Sequence, residues 1–398
     1  MLSIKNNSAP ILLTIPTTFP LPVLALGGEQ KSGFCLAREN RVLLSPDFGD
    51  LRLADNLLAY RADLDALLRK EQFIPRVIAH DLHPGYATSL LAPGLAYSFP
   101  LRPARKAVQH HHAHLASVMA DRGITGPVIG IIWDGSGYGT DGAIWGGEFL
   151  VGTIESFERA AHLEYIPLPG GEKAIEEPWR MAAAYLHHLR GDDFLDLDLP
   201  AVRKMNREDL ELMSAMIGKG INSPPTSSMG RLFDGVSALI GTGWINHRSA
   251  EAAIALEQAA GEGGDVKDPY PFRLNRSQKP YVVELNPLFS ALISDILAGI
   301  GAGEMASRFH ATVIAIGLEV AQALAEETGL REVVLSGGVF SNKIIREGLS
   351  ESLLNLGLKP ILPARSAIGD ECIALGQAAV AQSFSEPISR RDWPINSI

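Results

Sequence analysis

Gln109-His110-His111-His112-Ala113-His114 is the densest run of chemically capable side chains in the chain. On a helix, residues four apart share a face, so His110 and His114 present two imidazoles to one metal ion. His111 and His112 point elsewhere. No Glu follows the first His, so the general base of the His-Glu-x-x-His metalloproteases is missing. A solvated polar helix start is the commoner explanation for a bare pair at this spacing. Asp134 leaves an apolar strand in Trp133-Asp134-Gly135-Ser136-Gly137-Tyr138-Gly139. An Asp there can ligate a cation, and the amides of Gly135 and Gly137 can approach phosphate oxygens closely. An Asx turn explains the same residues equally well.

Ser336-Gly337-Gly338-Val339-Phe340-Ser341-Asn342 combines a strand end, a glycine turn and a helix start, and amides exposed there suit a nucleotide's phosphates. It is neither a Walker A loop nor Gly-x-Gly-x-x-Gly. Residues 226–234 bring hydroxyls, the Arg231 guanidinium and the Asp234 carboxylate to another helix start; a capped helix and a ribose or phosphate contact both account for them. Asp370 stands before the apolar run Cys372-Ile373-Ala374-Leu375, where an N-cap is the leading explanation. His83, in His80-Asp81-Leu82-His83-Pro84, follows an apolar strand, a position where loops of α/β folds carry function; an ordinary turn before Pro84 does as well. Cys35 and Cys372 read as packed small hydrophobes.

The elements that must position these groups are legible from periodicity. Residues 22–26, 33–37 and 41–44 read as strands, and 51–70 as a helix with Leu53, Leu57, Leu64 and Leu68 on one broad face. A strand at 76–79 and a helix at 113–122 complete a first α/β set. The pattern restarts with a strand at 127–133 running into a tight turn at Asp134-Gly135-Ser136-Gly137, with further strands at 143–145 and 148–153. A buried strand at 332–335 and a helix at 342–354 follow. A mostly helical insertion spans 178–327. Two similar units, 1–126 and 127–398, are therefore expected to face each other across an interdomain cleft, the last helix free to return to the first unit.

With 398 residues, 46% hydrophobic and 20% charged, the chain has the composition of a soluble globular protein. A net charge of -10 argues against a general nucleic-acid or anionic-membrane binder. Two cysteines exclude a disulfide framework and a four-cysteine zinc module. Pro10, Pro16, Pro20 and Pro22 interrupt the N-terminus, so no signal peptide is expected. The best membrane candidate, 289–301, is short and contains Asp295, so no bilayer-crossing stretch and a cytoplasmic location are expected.

Taken in order, these segments resemble one family. Asp81-Leu82-His83-Pro84, Val108 to His114, Trp133 to Gly139, Trp145-Gly146-Gly147-Glu148-Phe149, Leu168-Pro169-Gly170-Gly171 and Glu177-Pro178-Trp179-Arg180-Met181-Ala182 are followed by 226–234, 335–342 and Ala374-Leu375-Gly376-Gln377. Over about 22–382 the chain is similar to the C-terminal half of the HypF carbamoyltransferases of nickel–iron hydrogenase maturation. That half is related to the TsaD threonylcarbamoyl transferases and to antibiotic O-carbamoyltransferases. The resemblance implies an actin-like (ASKHA) fold of duplicated ribonuclease-H-like units. It implies a divalent metal, iron or zinc, held by His110, His114, Asp134 and Asp370. Nucleotide contacts would fall on Gly135, Gly137, Gly230, Asp234, Gly337, Gly338 and Asn342, with His83 and Asp134 as the catalytic candidates. The implied chemistry uses carbamoyl phosphate and ATP with Mg²⁺ to make carbamoyl-adenylate and passes the carbamoyl group to the C-terminal cysteine of HypE. No nucleic acid or membrane partner is implied.

Departures from the family pattern are expected to matter. The two cysteines leave no room for the zinc-finger modules that, with acylphosphatase-like and YrdC-like domains, precede this half in full-length members; a separate activating protein or the chain's own cleft would then supply the activation steps. Ser249 stands where the resemblance expects a ribose-binding Glu, and Gly369-Asp370-Glu371-Cys372 where it expects Asn-Asp-Gly-Gly. Two rival functions follow: carbamoyl transfer to a small-molecule hydroxyl, and a non-catalytic metal- and nucleotide-binding scaffold of the maturation complex.

Overall fold

A computed structural model describes residues 9–262 and 268–382. They fall into two compact units: 9–126 with 153–157 and 362–382, and 127–152 with 158–262 and 268–361.

In the first unit, β1 (Ile11–Ala25) and β2 (Cys35–Leu44) form an antiparallel hairpin. They are followed by α1 (Ala54–Lys70), β3 (Val77–Asp81), α2 (Ala87–Ser98), β4 (Ala104–Val108) and α3 (His110–Arg122). The sheet order is β2-β1-β3-β4, with β3 parallel to both β1 and β4. β1 starts well before the expected strand at 22–26. Its Pro16, Pro20 and Pro22 lie where it pairs with β2 alone and the register slips twice, so proline's missing N–H disrupts little. Neither α2, which carries Pro93, nor β4 was expected. Leu24, Leu26, Phe34, Tyr60, Leu64 and Ile78 make the buried core. The helix Ile373–Ala381 closes this unit against α3. A Cβ on Gly376 would lie 1.8 Å from the Ala113 carbonyl oxygen, so only glycine permits that packing. Gln377 then clamps the hairpin turn from both sides, accepting from Gly27 N at 2.8 Å and donating to Gly27 O at 3.0 Å.

The second unit repeats the opening order. β5 (Val128–Tyr138), β6 (Ile144–Gly152) and β7 (Phe157–Leu163) run in sequence across the sheet; Glu332–Ser336 lies parallel to β5 on its other side, followed by Lys359–Ile361. Each unit thus starts with a hairpin and places its next parallel strand beside the first. Asp134-Gly135-Ser136-Gly137 is not the hairpin turn that the sequence suggested. β5 continues through it, with Trp133 opposite Gly147 and Gly137 opposite Trp145. Four steps on one strand match two on the other, so the surplus residues form a bulge and the chain reverses at 139–143.

The expected insertion at 178–327 is mainly helical but also contains the strands Pro225–Thr226, Arg273–Asn275 and Tyr281–Glu284. Its last helix, Ala302–Thr328, corrects the expectation about membrane-length segments. It is long and apolar enough to cross a bilayer, yet 67% of its most apolar window is buried inside the protein. It packs on Glu251–Glu262, Lys343–Asn355 and β5, which is the setting of a core helix.

Candidate functional site

The His-rich segment owes its form to Gln109. That residue N-caps α3, its side chain accepting from His112 N at 2.8 Å, so the helix begins at His110 rather than 113. His110 and His114 share one face with ring centroids 5.2 Å apart, and both are buried. His110 Nδ1 meets Asp81 Oδ2 at 2.9 Å, while Asp81 Oδ1 accepts from His83 N at 2.9 Å. That bond turns His110 Nε2 inward, 3.8 Å from Asp370 Oδ1; His114 Nε2 lies 3.5 Å from the same oxygen. His111 Nδ1 is bonded by Gln109, and His112 Nε2 donates to Thr153 O at 3.0 Å. Burial lowers the His112 pKa, keeping that ring neutral.

Asp370 opens the short 3₁₀ turn Asp370–Cys372, and the N-cap position of the following helix belongs to Cys372. The capping explanation of Asp370 therefore fails, and its carboxylate faces the two imidazoles instead. The ligand atoms of His110, His114 and Asp370 lie within 4.8 Å of one another. Two imidazole nitrogens and a carboxylate gathered at this spacing suit a divalent zinc or iron ion, and the Asp81–His110 bond is the outer support such ligands usually have. His83 sits beside this cluster. Its Nδ1 accepts from Gly85 N at 3.1 Å, and its ring stacks on Tyr86 at 4.1 Å.

Asp134 belongs to the second unit, where the β5 bulge exposes its carboxylate to the Ser336–Asn342 loop: Gly338 N donates to Asp134 Oδ1 at 3.0 Å. Gly337 sits at φ 111°, and a Cβ there would lie 2.1 Å from Trp133 O. Gly230 lets the helix Met229–Ile240 begin against the bulge, since its Cβ would fall 2.8 Å from Gly135 Cα. Ser228 caps that helix and donates to Gly135 O at 2.7 Å. Gly135, Gly230, Gly337 and Gly338 are thus brought together around Asp134, and Gly137 closes the bulge against Trp145.

The other two expected nucleotide residues are already engaged. Asp234 accepts from Arg231 Nε at 2.7 Å and from Asn246 at 3.3 Å; burial raises its pKa, with Arg231 pulling against that. Asn342 caps Lys343–Asn355 through Ile345 N and bonds His310 Nε2 at 2.9 Å. Ser249 is exposed in the turn before Glu251–Glu262, and Glu371 makes an exposed pair with Lys31 at 3.8 Å.

Some residues escaped the sequence reading. Asp81 was part of a recognised motif, but its role shows only in space. Glu148 is buried and takes Arg159 Nε and Ser227 Oγ, both at 2.5 Å, behind the bulge. The Trp-Gly-Gly-Glu motif was its available signal. Cys372 gave no signal.

Comparison with known proteins fits this geometry. The family model described as "HypF Kae1-like domain" matches 19–121, and "Carbamoyltransferase, Kae1-like Domain, second subdomain" matches 130–377. A "Carbamoyltransferase HypF homolog" from Cupriavidus necator is 38% identical over 365 residues, covering 90% of this chain and 91% of that protein. Carbamoyltransferase HypF from Synechocystis sp. is 34% identical over 384 residues, covering 93% of this chain and 48% of its own length. Full-length HypF solved in its phosphate- and nucleotide-bound form superimposes with a TM-score of 0.86 at 33% identity, over 95% of this chain and 57% of that one. The chain thus spans most of the first relative but about half the length of the longer ones. The α/β fold is that of HypF's Kae1-like, actin-related part, and the chain belongs to the HypF carbamoyltransferase family.

Proposed function

We propose that the chain is the carbamoyl-transferring enzyme of nickel–iron hydrogenase maturation, working in the cytoplasm on carbamoyl-adenylate derived from carbamoyl phosphate and ATP with Mg²⁺. The C-terminal thiolate of HypE attacks the carbamoyl carbon, the bond to the adenylate phosphate breaks, and AMP leaves. The observation that carries this reading is the likeness of 95% of this chain to 57% of nucleotide-bound HypF. In support, the Gly337-Gly338 turn and the glycine-permitted start of Met229–Ile240 meet around Asp134, a strand-end and helix-start arrangement of the kind that binds phosphates. Asp81 fixes the ring of His110, and His110, His114 and Asp370 would hold a divalent iron or zinc ion, with Asp134 as fourth donor on the strength of the resemblance. When bound, such an ion supplies Lewis-acid polarisation of phosphate oxygens. His83 is assigned to the reacting group's surroundings by its place beside the cluster.

The test is incubation of the purified chain with carbamoyl phosphate, ATP and Mg²⁺, with and without HypE, following AMP and the mass of HypE. AMP release with a carbamoyl adduct on HypE supports the reading. AMP with the carbamoyl group on a small hydroxyl compound instead would favour the O-carbamoyltransferase. The exposed Ser249, lacking the carboxylate that the resemblance expects, favours the scaffold as the second reading. Metal and nucleotide binding with neither AMP nor adduct, even with a separate activating protein added, would establish it.

A further inference from the structure

The two imidazoles of the His110–His114 pair are held from behind by different groups. His110 Nδ1 has the Asp81 carboxylate at 2.9 Å. His114 Nδ1 has the Cys372 sulfur at 3.4 Å, and His114 and Cys372 are both fully buried. We propose that Cys372 is a positioning residue for metal binding, its sulfur accepting the Nδ1 proton of His114 so that Nε2 is the coordinating nitrogen. This rests on the metal-site reading above.

A neutral imidazole carries a single ring proton, and a nitrogen that binds metal must be the one without it. His114 directs Nε2 toward Asp370 Oδ1 at 3.5 Å, so its proton belongs on Nδ1. In a site closed to water that proton needs an acceptor, because a buried donor left without one costs its full desolvation. Cys372 Sγ stands at the distance of an N–H···S contact. Backbone geometry fixes it there: Cys372 ends the 3₁₀ turn that Asp370 begins, so three consecutive residues supply a ligand and the outer support of a second ligand. Where the resemblance expects glycine, this position could provide no such acceptor. Sulfur is also a weaker acceptor than the carboxylate behind His110, so the two histidines are unequal donors.

The probe is Co²⁺, titrated into wild type, Cys372→Ala and Cys372→Ser, with dissociation constants and the visible ligand-field spectrum as readouts and thermal melts as the folding control. Cys372→Ala is expected to weaken Co²⁺ binding by about 10- to 100-fold and shift the spectrum, as loss of an outer-shell partner usually does. Cys372→Ser, which keeps an acceptor, recovers most of the affinity. Unchanged affinity and spectrum in Cys372→Ala would overturn the proposal. So would an intense sulfur-to-cobalt charge-transfer band in wild type, which would make the thiolate a direct ligand. Should Cys372→Ala fail to fold, Cys372→Ser decides by itself: near wild-type binding supports the role, and loss as large as that of His114→Ala overturns it. If wild type binds no Co²⁺, or binds it equally after His110→Ala, the metal-site reading has failed rather than the role of Cys372 alone.

Discussion

Gly337 combines φ 111° with a would-be Cβ position 2.1 Å from the Trp133 carbonyl oxygen. Both halves of that constraint are backbone, so neither relaxes by a rotamer change. Gly241 sits at φ 86° with open space around its own would-be Cβ. Gly241→Ala should therefore lose only the conformational part, roughly 1–2 kcal/mol. Gly337→Ala should lose visibly more in urea melts, and equal losses would show that the close approach to Trp133 is not tight. His310 is the second residue whose surroundings set a measurable quantity. Burial lowers its pKa from 6.5 to about 4, partly opposed by its Nδ1 bond to Ala306 O, while Nε2 accepts from Asn342. The folded state favours the neutral ring, so the unfolded chain binds the extra proton. The stabilisation is complete above about pH 6.5 and is lost as pH falls toward 4, on the order of 3 kcal/mol. A His310→Gln variant should show a flatter stability–pH curve over that window in urea titrations. An unchanged slope would assign the titration elsewhere.

At the scale of elements, α3 does more than carry the His110–His114 pair. Its last turn places the buried Asp121 carboxylate under the segment leading to Asp370, where Oδ2 accepts from Ala364 N at 2.6 Å, Arg365 N at 2.7 Å and Ser366 N at 3.1 Å. Burial alone would raise the pKa of Asp121, but these amides and the Arg365 side chain outweigh it and hold it below the usual carboxylate value. Its contribution is present above the unfolded pKa near 4 and is lost as pH falls through the lower folded value. Asp121→Asn leaves the three amides facing a weaker acceptor that can satisfy fewer of them. It should lower the melting temperature at pH 7 and narrow its gap to wild type in strong acid. A gap independent of pH would show that charge is not what holds the segment. The helix itself was expected over 113–122 with its end at Gly123, although its true start depended on a Gln cap outside that range. A short apolar run marked β5 but could not show the bulge, because pairing register depends on β6, a partner that sequence position alone does not specify. α2 was hidden by Pro93-Gly94, whose breaking tendency is overridden by the burial of Thr88, Ala92 and Ala96 against the sheet.

At the scale of the molecule, the recognised motifs carried the family, while the groups that hold the candidate site residues in place lay beyond sequence reading. Asp81, Cys372 and Glu148 act through partners 29, 258 and 79 residues away, separations that no local pattern encodes. The same separation gives the metal a structural consequence. His114 and Asp370 stand at opposite ends of the chain's path through the second unit, yet both belong to the first. An ion shared by them would tie the returning segment 362–382 to α3 and close a very long loop, adding to the clamp that Gln377 makes on Gly27. Because a ligand that binds only the folded state stabilises it by mass action, metal at about 100 times its dissociation constant should add roughly 2.7 kcal/mol. Chelation should then lower the melting temperature of the first unit, and re-addition of Zn²⁺ or Fe²⁺ should restore it. His114→Ala should bring metal content toward zero by elemental analysis and make the melt insensitive to chelator. A His114→Ala protein that kept its metal and its chelator response would show that the ion binds elsewhere in the chain.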